Sequence, residues 1–206
     1  MDCKLLLSVL GIIISVGNAL TPSIVIHSRR KTEDIYQVPS YYLRINHFSS
    51  ISWLLYSIYL LDIGLIVVNT LTSVLTFVSI FIFAYYTSKL WEFYIQYLVG
   101  LLVVGSLCLS ALIVKGLGVF CTILNVATFL ANLESIQQII STSNYTYIDL
   151  RMGFSNLISG SIWLAYGIFI QNLSLIISNA VLVAVSTVLL SFHTYYRIFR
   201  KNRAYF

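Results

Sequence analysis

The sequence predicts an all-α integral membrane protein, with seven transmembrane helices arranged as two parallel three-helix repeats joined by a linker helix, a 3+1+3 plan. Three observations lead there. Of 206 residues, 59% are hydrophobic and 9% charged, whereas soluble domains carry roughly 45–50% and about 25%. Apolar runs of ~20 residues, enough to cross ~30 Å of hydrocarbon, can be laid down near 5–26, 41–61, 65–86, 94–114, 117–140, 152–170 and 173–196. The chain also repeats itself. Adding 110 to a position reaches its partner, without a gap, from Leu20/Leu130 to Tyr86/Tyr196. In that register Ser49 meets Ser159, Trp53 meets Trp163, Tyr56 meets Tyr166 and Asn69 meets Asn179. Repetition of this kind marks structural units that stack on one another.

The first span carries Ser15, Asn18 and Thr21-Pro22 among apolar residues. A proline there either ends the helix before a polar loop or supplies a hinge. The loop 27–40 is basic and ends at Pro39. Span two contains Ser49, Trp53 and Tyr56, and span three follows a tight turn at Asp62-Ile63-Gly64. Counting from that turn at 1.5 Å per residue puts Trp53 at a depth of ~13 Å and Asn69 at ~10 Å. The second copy has the same spacings around Asn172, so Trp163 and Asn179 are expected in the same layer near mid-membrane. Span four has no repeat partner. Three spans per repeat would invert the second copy, and one extra crossing restores parallel orientation, a known construction of membrane proteins. Span five repeats span one with Asn132 in the place of Pro22, and in the next loop Asp149 stands in register with Pro39. The expected division is therefore 1–90 for the first repeat, 91–115 for the linker, 116–197 for the second repeat and 198–206 for a basic tail.

Charge sets the expected orientation. With the N-terminus outside, ten of the twelve Lys and Arg residues fall on the cytosolic side, a positive-inside bias that places the C-terminus in the cytosol. The net charge of +5 is thus a topology signal, and no nucleic-acid partner is expected. Cys3, Cys108 and Cys121 show no disulfide or zinc spacing, and His27, His47 and His193 have no acid or nucleophile at metal or triad spacing. Neither an enzyme, a metal site nor a cofactor is expected. The sequons at Asn144 and Asn172 are read as unused, the first cytosolic and the second in a turn too tight to reach.

What remains is the paired layer. Asn amides both donate and accept hydrogen bonds, which suits vicinal hydroxyls, and a flat indole covers the apolar face of a ring. No charged residue shares the layer. A charged solute would lack a partner at mid-membrane, so the layer suits a neutral polar solute.

These residues resemble a known family, the SWEET sugar facilitators. The stretch Trp53-Leu54-Leu55-Tyr56 and the turn and span Asp62-Ile63-Gly64-Leu65-Ile66-Val67-Val68-Asn69-Thr70 look like its animal members. The resemblance covers the whole chain and implies bidirectional transport of mono- or disaccharides by alternating access, as a uniporter. It carries the family's sugar-binding asparagines to Asn69 and Asn179, and its positions on spans two and six to Trp53 and Trp163. Ser49 and Ser159 stand where the family often has Asn. The family's four hinge prolines fall at Pro22, Pro39, Asn132 and Asp149, so half are replaced. An outer Tyr–Asp gate would use Tyr56 and Asn172, where the acid has become an amide; its first-copy counterpart Asp62 is then expected to face Tyr166. The plasma membrane is the expected location, with the Golgi or another endomembrane as the alternative, and self-association is left open. Two rival readings remain, a carrier of another polar solute on the same fold, as in PQ-loop carriers, and a seven-helix receptor. No Pro-Gln dipeptide occurs, and receptor helices are not expected to repeat at a fixed offset.

Overall fold

The computed structural model describes residues 3–29, 40–87, 90–131, 140 and 150–200. Over them the chain forms α1 (Cys3–Arg29), α2 (Ser40–Leu60), α3 (Ile63–Tyr86), α4 (Leu90–Ile113), α5 (Leu117–Ala131), α6 (Leu150–Phe169) and α7 (Leu173–Tyr195), with a π-helical turn at Tyr196–Arg200. This is a seven-helix, all-α membrane fold. The helices α1, α3, α4 and α7 are long and apolar enough to cross a membrane. Of the rest, α2 and α6 reach 21 and 20 residues. Large apolar side chains such as Ile13, Leu102, Val119 and Ile123 face outward, the surface a lipid solvent selects. Of the expected hinge positions, Pro39, Asn132 and Asp149 lie outside the described residues, as does the part of span five beyond Ala131 apart from Ile140.

One of the two readings of Pro22 is excluded. Pro22 does not end a helix, because α1 runs seven residues past it to Arg29. Proline removes one backbone hydrogen bond, and packing beyond it keeps the helix going. Ile26 is fully buried in a core with Ile80, Phe83 and Ala84 of α3, and Ser23 Oγ lies 2.6 Å from Ser79 Oγ on α3.

The chain divides into two compact units, Met1–Asn125 and Val126–Phe206. In the first, α3 packs on both α1 and α2, and α4 lies against α2 and α3. Phe48, Phe83, Phe93 and Tyr97 anchor α4 in a core with Leu43, Ile80 and Ala84. Phe48 and Tyr97 stack at 5.5 Å, and Arg44 sits over Phe93 while donating to Gln96 Oε1 at 2.7 Å. Several deeper polar groups are paired inside the protein. His47 Nδ1 meets Thr76 Oγ1 at 2.9 Å, Ser52 Oγ meets Cys108 Sγ at 3.3 Å, and Ser52, Thr76 and Ser79 also bond carbonyls one turn back. That is how hydroxyls are tolerated where no water is at hand.

In the second unit α6 lies on α7 along Gly153, Gly160 and Gly167. A Cβ on Gly160 would come within 3.2 Å of Leu182 and Val183, and one on Gly167 within 3.2 Å of Leu175 Cβ and the Ile176 backbone nitrogen. Small residues let spanning helices approach closely. In the repeat register the first unit has Leu43, Ser50 and Ser57 at these places, so the two helix pairs are packed differently.

The turns, by contrast, are alike. Leu61 and Gln171 both take left-handed backbone, φ 52° and 55°. The nitrogens of Asp62 and Asn172 reach back to the Ser57 and Gly167 carbonyls, and those of Leu61 and Gln171 to Ile58 and Ile168. This double closure is a Schellman motif. Lys115, with φ 57°, closes α4 the same way.

The α6–α7 packing gives a test. Gly167→Ser, which copies the first repeat, presses a side chain on backbone that cannot yield, and should destabilise the protein by roughly 1–3 kcal/mol. Thermal unfolding of the detergent-solubilised protein measures this; an unchanged transition would mean the helices are not in close contact there.

Candidate functional site

Each unit carries its own copy of the predicted site residues. In the first, Ser49 and Trp53 are buried on α2, and Asn69 is half-buried on α3. The Asn69 amide nitrogen donates to Leu65 O at 2.8 Å and to Ser57 Oγ at 2.9 Å. Ser57 in turn donates to Trp53 O at 2.6 Å. A single fully buried serine thus joins the α2 residue Trp53 to the α3 residue Asn69. Trp53 Nε1 is itself buried and has no hydrogen-bond partner among the described residues. Its ring meets Tyr56 edge-on at 5.7 Å.

The second unit reproduces much of this. Ser159 and Trp163 are buried on α6, and Trp163 meets Tyr166 edge-on at 5.4 Å. The Asn179 nitrogen donates to Leu175 O at 2.8 Å, the counterpart of the Asn69–Leu65 bond. Tyr166 is fully buried where Tyr56 is half-buried.

The structure gives Asp62 and Asn172 a local role that the residue pattern did not reveal. Both are the N-caps of the helices that follow. Asp62 Oδ1 accepts from Leu65 N at 3.1 Å, and Asn172 Oδ1 from Leu175 N at 3.0 Å. Asp62 also forms an ion pair with Lys4 of α1 at 3.0 Å. Lys4 is about half exposed, so solvent and salt weaken that pair.

Asn125 was missed. It is the polar residue midway along α5, and its Oδ1 accepts a hydrogen bond from Ser49 Oγ, placing it beside a predicted substrate residue. An amide in an apolar span was the available signal, but its partner lies 76 positions away.

A family profile described as sugar efflux transporter for intercellular exchange matches residues 5–90 and 115–201. The chain belongs to this family, the SWEET transporters. The profile thus matches twice, and family members are transporters rather than enzymes. A bidirectional sugar transporter N3 from Medicago truncatula is 25% identical over 165 residues, 75% of this chain and 60% of that protein. A eukaryotic SWEET transporter solved at 3.7 Å resolution superposes with a TM-score of 0.80 at 14% identity, over 94% of this chain and 96% of that one. At that identity the superposition speaks for the SWEET fold alone, a multi-pass membrane protein.

The cap and the ion pair at Asp62 are separable. Asp62→Asn keeps a capping oxygen, as Asn172 does naturally, and should cost less than ~1 kcal/mol. Asp62→Ala loses cap and pair together and should cost roughly 1–2 kcal/mol. Thermal unfolding distinguishes them; equal losses would place the whole effect in the ion pair.

Proposed function

We propose that this chain is a facilitative sugar transporter, a uniporter that moves mono- or disaccharides in either direction by alternating access. One observation carries the reading: the Trp–Tyr pair and the Asn bonded one turn back are built alike in both units. A solute held by such duplicated groups needs hydroxyls for the amides and an apolar face for the indoles. Sugars have both. The family and the relative named for bidirectional sugar transport point the same way.

The residues assigned to sugar contact are Ser49, Trp53 and Asn69 in the first repeat, and Ser159, Trp163 and Asn179 in the second. The repeats are taken as 1–90 and 116–197, with 91–115 as the linker and 198–206 as a basic cytosolic tail. Pro22, Pro39, Asn132 and Asp149 are assigned to hinges, and Tyr56, Asp62, Tyr166 and Asn172 to the outer gate. No ion takes part. The N-terminus faces outward in the plasma membrane.

A millimolar dissociation constant is worth only about −4 kcal/mol, within reach of a few neutral hydrogen bonds and ring contacts. Asn69→Ala and Asn179→Ala should each abolish uptake of radiolabelled sugar into liposomes while expression stays at the parental level. Normal uptake by either variant would remove that asparagine from the site, and uptake that required a sodium or proton gradient would remove the uniport mechanism.

A further inference from the structure

The two asparagines are alike in sequence but not in what they have left to offer. An Asn amide has two N–H donors and one oxygen acceptor. At Asn69 both donors are engaged, one by Leu65 O and one by Ser57 Oγ. The orientation is fixed by chemistry: a carbonyl oxygen can only accept, so the amide nitrogen faces Leu65 O. Ser57 sends its own proton to Trp53 O and therefore meets Asn69 with a lone pair. Only Oδ1 remains. At Asn179 one donor is engaged by Leu175 O. The position equivalent to Ser57 is Gly167, which has no hydroxyl and, against Leu175 and Ile176, no room for one. Among the described residues Asn179 therefore keeps one N–H together with Oδ1.

We propose that Ser57 is a positioning residue that locks the Asn69 amide as a pure acceptor, so that the two halves of the transporter read a sugar hydroxyl differently. This deepens the proposed function and rests on it, since it takes Asn69 and Asn179 as sugar contacts. A hydroxyl set against Asn69 must donate its proton. One set against Asn179 can accept, donate or do both. The two copies then differ in hydrogen-bonding character, although their sequence is duplicated.

The lock is tested apart from transport by hydrogen exchange of the side-chain amides, followed by NMR of the protein in nanodiscs with labelled asparagine. Both Asn69 N–H groups should exchange more slowly than the faster of the two at Asn179. Ser57→Ala should release one of them to an Asn179-like rate. In liposomes, with the sugar taken up fastest from a panel of glucose, fructose, sucrose and trehalose, Ser57→Ala should raise KM roughly fivefold and leave kcat within about twofold. Ser52→Ala, which removes another buried hydroxyl from α2 without touching Asn69, should move neither readout. Equal exchange at Asn69 and Asn179 in the parent protein, or an unchanged KM in Ser57→Ala, would overturn the proposal. So would a comparable effect from Ser52→Ala. Should Asn69→Ala transport normally, the sugar assignment of that asparagine falls instead, and the exchange rates still decide whether Ser57 holds the amide.

Discussion

The structure depends on one constraint, that a polar group carried into hydrocarbon finds its partner within the protein. Water is not available there, and an unpaired buried donor or acceptor costs about 1–3 kcal/mol. Ser52, Ser57, Thr76 and Ser79 on α2 and α3 meet this by bonding carbonyls one turn back, and Ser57, Ser23, Ser52 and His47 reach a neighbouring helix. What a side chain does for the fold and what it has left for a solute are therefore two parts of one account. Groups whose capacity is used up hold helices together. Trp53 Nε1, buried and unpaired, is a donor left over, on a residue assigned to sugar contact.

Duplication supplied the raw material and packing made the copies differ. The loops show what was kept: the same left-handed residue, the same pair of closing bonds and the same capping oxygen occur at Leu61-Asp62 and Gln171-Asn172. The helix pairs show what changed. Glycines bring α6 close to α7, while side chains with hydroxyls stand at two of the three equivalent places between α2 and α3. Closer helices gain van der Waals contact, which drives association in lipid, but leave no space for a serine to hold Asn179. Tight packing in one half and a locked amide in the other follow from the same substitution.

Fold class was legible because it rests on patterns that need no tertiary knowledge. Apolar run length gave the spans, and the constant offset of 110 gave the repeat, since Trp, Tyr and Asn rarely coincide in register. Boundaries were harder. The turn was read from Asp62-Ile63-Gly64, whereas the left-handed residue is Leu61, and Gln171 in the second copy; with no glycine at either place the usual mark of a Schellman closure is missing. At Pro22 the sequence leaves helix end and hinge open, and the structure excludes the first, a strong local breaker being outweighed by the burial of Ile26 beyond it. Contacts between distant residues were not legible at all. Nothing along the chain links Lys4 to Asp62 or Ser49 to Asn125, because each pair meets only after the helices have packed.

The mismatch of Ser57 with Gly167 was visible in the register and meant nothing until the bonds were known. Serine and glycine are both ordinary small residues between spanning helices, and from sequence they are interchangeable spacers. The difference lies in one oxygen, placed where an amide on the neighbouring helix α3 has a donor to give. For a site that holds its solute weakly, by about −4 kcal/mol at millimolar affinity, one hydrogen bond of about 1 kcal/mol is a large share of the whole. With Asn69 as a sugar contact, as proposed, a change of donor into non-donor at that one amide would be enough to set which hydroxyl is recognised, without adding a charge.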